Sequence, residues 1–347
     1  MAKKDEVSTP FSVFRYREVQ VFSTELDILT DTINLVEYFQ SLDYSVKLLM
    51  ETQNIPEGEA KKRAKKAQSF VKIALDYIDQ AQNSRFDVSF LPLYYAFMNL
   101  CKVYILFSSS HALLDSNRYH GATYNVLGKK SKSILSEEIT IKKNGVISLM
   151  MNIISKKSYS QDTTFTFEQI ASQIFDIAAE FGLASGNKTA FLGLTFSHVQ
   201  KPEGNLIQAD LLQPRNPLGR LRALPGFAVA QGGRSLAKKV AFDANSVHEN
   251  VSRIFRVNYF YLPSGTRTNL TFINRHKLGC CLPEEISIIL LFFYLSNIVR
   301  YKPEFLMKIK DSAYWPVLIA ARRHCLLKFL RLFWSFCHRK TLIITPN

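Results

Sequence analysis

Cysteine is sparse in this sequence and never spaced for a pair. Cys101, Cys280, Cys281, Cys325 and Cys337 form no CxxC motif, which argues against a zinc ribbon or a redox dithiol. Cys101 falls inside an apolar segment, where a packed thiol is expected. Long hydrophobic runs are missing too. The longest, Ile286 to Val299, is broken by Ser287, Tyr294, Ser296 and Asn297 and is too short to span a bilayer, so it reads as a core helix. The opening MAKKDEVSTPFSVF has no apolar core or small-residue cleavage site of a secretory leader, and a cytoplasmic location is expected. The seven histidines are scattered, no GxSxG elbow occurs, and no carboxylate pair stands out. Metalloenzyme, nucleophilic hydrolase and dinucleotide oxidoreductase chemistries therefore find no footing, and no metal or cofactor is expected.

Acid is also in short supply. The 29 Asp and Glu stand against 44 Lys and Arg, a net charge of +15, and the imbalance is local. Residues 211–280 hold 11 basic against 2 acidic residues, and residues 300–347 hold 10 against 2, so the remainder is slightly acidic. A basic C-terminal half attracts polyanions, meaning RNA, DNA, nucleotides or an acidic protein partner. Much of such charge in any chain is simply solvated surface.

What the sequence does hold is helical periodicity. Leu26, Leu29, Ile33 and Val36 predict a helix within 24–50, and Pro56 opens the next, which runs to about Gln82. The block Lys61, Lys62, Arg63, Lys65 and Lys66 is expected on its solvated face. A third helix covers 90–108 with Pro92 in its first turn. In 139–151 the Asn144-Gly145 pair predicts a tight hairpin and a short two-stranded piece. Thr166 with Gln169 reads as the capping box of a helix over 163–182. Glycine and proline then become frequent, with strand-like pieces at 189–199 and 255–262. Pro283, followed by Glu284 and Glu285, starts a helix to Arg300, which Pro303 stops. A last helix covers about 315–337. The expected fold is mainly α (α+β), a helical-bundle core with a small β-containing insert. Its regions are 1–182, a Gly/Pro-rich basic insert at 183–282, and C-terminal helices with a basic tail at 283–347.

Candidate chemistry begins where the apolar helix ends. FLPLYYAFMNLCKVYIL runs through a serine-rich loop into Arg118-Tyr119-His120-Gly121. His120 suits acid–base work near neutral pH with Arg118 holding a phosphate. The alternative is a structural His120 bonded to backbone, with Gly121 supplying a positive-φ turn. Arg300 either reaches an anion or caps the C-terminal carbonyls of its own helix. Lys302, Arg234, Lys238, Lys239, Arg322 and Arg323 complete the candidate anion-binding set. Gly121 to Gly128-Lys129-Lys130-Ser131 misses the spacing of a phosphate loop.

Four pieces in order resemble the YaaC-like family of bacterial proteins: LPLYYAFMNLCKVYIL, HGATY, IKKNGVISL and YLSNIVRYKPEFL. The last is the most distinctive, with Leu295-Ser296-Asn297 leading into Arg300-Tyr301-x-Pro303. Together they span about residues 91–306, and the resemblance implies shared architecture more than an activity. The basic tail after 325 differs from the family pattern. More loosely, the YYAFMNLCKVYIL helix and its His-Gly loop are similar to HEPN domains, helical bundles that often dimerise. Many of those act as metal-independent ribonucleases in toxin and phage-defence systems, with four to six residues between an Arg and a His on one helix. Arg331 and His338 have that spacing here, although Leu332 replaces the usual polar neighbour. A basic amphipathic helix is the plainer reading of the same residues.

Two functions fit. The first is a non-catalytic intracellular interaction protein of a bacterial anti-phage or stress module, holding nucleic acid or a protein partner through its basic half. The second is a homodimeric HEPN-like ribonuclease using His120 or His338 with nearby arginines.

Overall fold

The computed structural model describes residues 16, 18–24, 27–108, 119–125, 133–155, 161–186, 191–201, 204–211, 227–229, 239–243, 255–261, 267–274 and 281–346. The chain divides into two compact units, one built from 18–189 and 282–347 and the other containing 190–281. Helix dominates the first, and the second carries a sheet, so the protein is mainly α with a helical core and a sheet-bearing insert.

The helical unit opens with strand β1 (Val19–Thr24), followed by α1 (Ile28–Glu37). Asp27 caps α1 by accepting from the amides of Leu29 and Thr30 at 2.8 and 3.0 Å. Its hydrogen bonds, that from the Thr30 side chain first, hold the carboxyl below the ordinary range. The single helix expected over 24–50 is in fact interrupted. Tyr38–Gln40 tightens into a 3-10 turn, and Ser41 starts α2 (Leu42–Gln53) as a new N-cap. Phe39 at that corner is fully buried against Phe107 and Phe333, so packing decides the break.

Helix α3 (Glu57–Asn83) presents Ala60, Ala64, Ala67, Val71, Ala74, Ile78 and Ala81 to the interior. The 3–4 spacing with mostly alanine makes a narrow seam that lets a neighbouring helix approach closely. Of the basic block, Arg63 is buried and bonded to Glu59 at 2.8 Å, while Lys61, Lys62 and Lys65 are exposed. Helix α4 (Phe90–Leu106) is apolar on nearly every side and correspondingly enclosed, with Leu93, Tyr94, Phe97, Leu100 and Tyr104 at 2% exposure or less.

Strands β2 (Ala122–Asn125), β3 (Glu138–Ile141) and β4 (Thr163–Thr166) form a three-stranded antiparallel sheet with β3 in the centre. The hairpin expected at Asn144-Gly145 does not form. Residues 146–155 are helix α5 (Val146–Ser155), and Gly145 serves a close backbone contact instead of a turn between strands. Thr166 and Gln169 do make the capping box, but of a shorter helix, α6 (Phe167–Ala171), because 163–166 pairs with β3. A short α7 (Ala178–Ser185) follows.

In the second unit, β5 (Phe191–Lys201), β6 (Gly204–Leu211), β7 (Phe227–Val229), β8 (Lys239–Asp243), β9 (Phe255–Tyr261) and β10 (Arg267–Asn274) make an antiparallel sheet in the order β7-β8-β6-β5-β10-β9. The chain then returns to the helical unit with α8 (Glu284–Tyr301), α9 (Pro303–Lys310) and α10 (Trp315–His338). Phe97 of α4 touches Phe292 of α8 and Phe329 of α10, with ring centroids 5.0 and 4.5 Å apart. Strand β11 (Thr341–Pro346) closes the unit by pairing in parallel with β1. No helix among the described residues is long and apolar enough to cross a membrane.

Candidate functional site

The loop carrying His120 is fixed by its own backbone. The carbonyls of Tyr119 and His120 accept from the amides of Val146 and Ile147 at 2.8 and 3.1 Å, satisfying donors that the first turn of α5 cannot satisfy internally. Gly121 (φ +82°) lies against Gly145 (φ +126°), and a Cβ added at Gly145 would sit 2.4 Å from the Gly121 Cα. Only glycine at both positions permits this approach.

Helix α4 brings the second set of groups. Tyr95, Asn99 and Lys102 follow one stripe at i, i+4 and i+7. Asn99 donates to the Tyr95 carbonyl at 2.8 Å, and Lys102 donates to the Asn99 Oδ1 at 3.1 Å while its ammonium lies 4.8 Å from the Phe70 ring centre. Tyr95 stacks on Tyr77, and the buried Tyr94 hydroxyl meets His120 Nδ1 at 2.7 Å. The C-terminal end of α8 supplies Arg300, whose guanidinium donates to the Ser296 carbonyl at 3.3 Å and to the Tyr95 hydroxyl at 3.4 Å. Arg300 thus both caps its helix and stands at the site.

The electrostatics are one-sided. Burial lowers the His120 pKa, and Lys102 and Arg300 lower it further, so the imidazole is neutral at pH 7. Burial also lowers Lys102. Burial raises the Tyr94 hydroxyl well above its ordinary value, so it keeps its proton. Among the described residues no carboxylate pairs with Lys102 or Arg300, and His120 Nε2 has no hydrogen-bond partner. Close by in sequence, Lys302 donates to the Tyr124 hydroxyl at 3.2 Å, and that hydroxyl donates to the buried Glu137. Its charge is balanced one residue away, unlike that of Arg300.

His338 has different surroundings. Its ring stacks on Trp334 with centroids 3.6 Å apart, Nδ1 meets the Trp334 carbonyl at 2.9 Å, and Nε2 meets the Tyr44 hydroxyl at 2.5 Å. Burial pulls its pKa down to about 4. The ring forms part of the wall of a cleft of about 540 Å³ between β1, α2 and the end of α10. Arg331 donates to the Leu342 carbonyl at 3.4 Å, toward β11. Arg322 is held in the core framework by Ser89 Oγ at 2.9 Å and the Ala81 carbonyl at 3.2 Å, while Arg323 is exposed. Lys239 begins β8; Arg118, Arg234 and Lys238 lie outside the described residues. Among the described residues no group of three or more His, Cys, Asp or Glu side chains is placed to hold a metal ion.

The structure therefore joins His120 to Arg300, which the sequence places 180 residues apart, and adds Tyr94, Tyr95 and Lys102, which sequence reasoning missed. The signal was present in the polar stripe of Tyr95, Asn99 and Lys102 along an otherwise apolar helix, since a buried helix keeps such a stripe only where something polar faces it.

The fold is of the mainly α class, a helical core with a sheet-bearing insert. A family model described as YaaC-like Protein matches residues 37–337, and the chain belongs to that family. No curated protein and no solved structure matches it.

Proposed function

We propose that this protein binds nucleic acid, with a backbone phosphate seated between Lys102 and Arg300 beside His120. One observation carries the reading: two cations converge on a neutral imidazole and, among the described residues, neither is neutralised by a carboxylate. Arg300 is exposed and Lys102 half-buried, so both cations are open to an entering anion, with which they can make charge-assisted hydrogen bonds. The chain as a whole carries a net charge of +15, which favours association with a polyanion. Binding of labelled RNA and DNA oligonucleotides, followed by anisotropy at rising salt, tests it. The Lys102→Ala/Arg300→Ala variant should bind about tenfold or more weakly, with a salt slope lower by roughly 1–2 phosphates' worth. Unchanged affinity and slope in the folded variant would refute the site.

A second reading, metal-independent RNA cleavage, draws on the state of His120. A neutral ring with one nitrogen held by Tyr94 and the other free is suited to take the proton of a ribose hydroxyl while Arg300 and Lys102 stabilise the phosphorane charge. RNA incubated with the protein in excess chelator should then be cut, and His120→Ala should abolish cutting while leaving binding. RNA that stays intact beside unimpaired binding leaves the protein a binding module.

A further inference from the structure

Two tyrosines beside this site are the most exposed of the described tyrosines. Tyr94, Tyr104 and Tyr294 are fully buried, yet Tyr119 is 80% exposed and Tyr301 is 69% exposed. Each is the immediate chain neighbour of a site residue, Tyr119 of His120 and Tyr301 of Arg300. Tyr301 has a guanidinium lying over its ring at 4.9 Å, and Tyr119 makes no ring contact among the described residues. Large aromatic rings held in water cost hydrophobic free energy and contribute nothing to the core. Their backbones are nonetheless firmly placed. The Tyr119 carbonyl caps α5 at 2.8 Å from Val146 N, and Tyr301 ends α8.

Resting on the nucleic-acid reading above, we infer that the bound polymer is single-stranded, its bases stacking on Tyr119 and Tyr301 while its phosphates meet Lys102 and Arg300. Every base offers a π face, so exposed rings next in the chain to His120 and Arg300 suit a strand whose bases are free to turn outward. A duplex keeps its bases stacked on each other and presents backbone and base edges but no free base faces, which gives the two rings nothing to stack on. Arg300 acts twice in this arrangement, as a phosphate donor and as a plane above Tyr301.

The test uses the full chain with a labelled oligo(U), an oligo(dT) of equal length and a mixed-sequence duplex. Single strands are expected to bind more tightly than the duplex. Tyr119→Ala and Tyr301→Ala should each weaken single-strand binding by about 5- to 100-fold, and the Phe variants should retain it. Both positions are exposed, so thermal melts should stay near wild type, which separates lost stacking from lost folding. Single-strand binding that survives the double Ala variant but falls in Lys102→Ala/Arg300→Ala overturns the stacking platform and keeps the phosphate site. Equal affinity for duplex and single strand also overturns it. If the alanines change self-association and leave nucleic-acid binding untouched, the rings are a protein contact and the inference fails. Absence of binding to all three probes removes the phosphate site along with it.

Discussion

His120 and His338 show how surroundings alone assign roles to one side-chain type. Both rings are held neutral by burial, but His338 has both nitrogens engaged and its face covered by Trp334, whereas His120 keeps Nε2 free beside two cations. Protonating His338 would charge a buried ring, so the unfolded chain binds this proton more readily than the folded one. The contribution of His338 to stability is complete above the ordinary value of 6.5 and is lost as pH falls toward about 4, by up to about 3 kcal/mol. Urea unfolding of wild type and His338→Gln across that window should give curves that diverge by most of this amount. Parallel curves would show that His338 is not the titrating group. The sequence picked out both histidines but could not rank them, because burial and ring stacking come from residues such as Tyr44, almost 300 positions away.

At the scale of elements, the helices were readable where periodicity is long. The edges of α3, α4, α8 and α10 agree with their apolar spacing and their proline starts to within a residue or two. Local signals misled where a neighbour overrode them. Asn144-Gly145 has the chemistry of a hairpin, yet the glycine is required by its contact with Gly121, and the apolar residues after it bury better as α5. Gly145→Ala should therefore cost about 2–4 kcal/mol and also loosen the loop that carries His120. Gly58, with nothing within 4 Å of an added Cβ, is the control: Gly58→Ala should leave stability unchanged or raise it by up to about 1 kcal/mol. Melting curves for the two variants, with nucleic-acid affinity measured beside them, check both points. Equal melting temperatures would deny the backbone contact its role.

For the helical unit as a whole, a buried charge cluster ties distant segments together. Lys328 of α10 pairs with Glu284 of α8 at 3.4 Å and with Asp176, just before α7, at 3.6 Å. Glu284 also accepts weakly from the Phe175 amide, at 3.4 Å. Its place at the start of α8 was readable as a match to the helix dipole, but its burial and its partner were not, since nothing local marks a lysine 44 residues onward. Removing the lysine strands two acids, so Lys328→Met should destabilise by about 3–5 kcal/mol, and adding Glu284→Gln should restore part of it. Chemical denaturation of the two variants decides this; a harmless single change would mean that water solvates the acids. The parallel pairing of β1 with β11 was likewise beyond reach of the sequence, because the partners lie more than 300 residues apart and neither strand carries a turn signal.

The interleaving of the two units has a consequence for how the protein is made. Helix α4 leaves the ribosome with apolar side chains on nearly every face, yet the helices that enclose it, α8 and α10, follow only after the whole sheet-bearing segment. At ordinary elongation rates the delay between the end of α4 and the end of α10 is roughly 10–50 s. During that interval α3, with its alanine seam, is the main shelter already synthesised. A nascent chain in that condition is a natural client for chaperones, and slowing translation across 190–281 would lengthen its exposure to aggregation rather than help it fold.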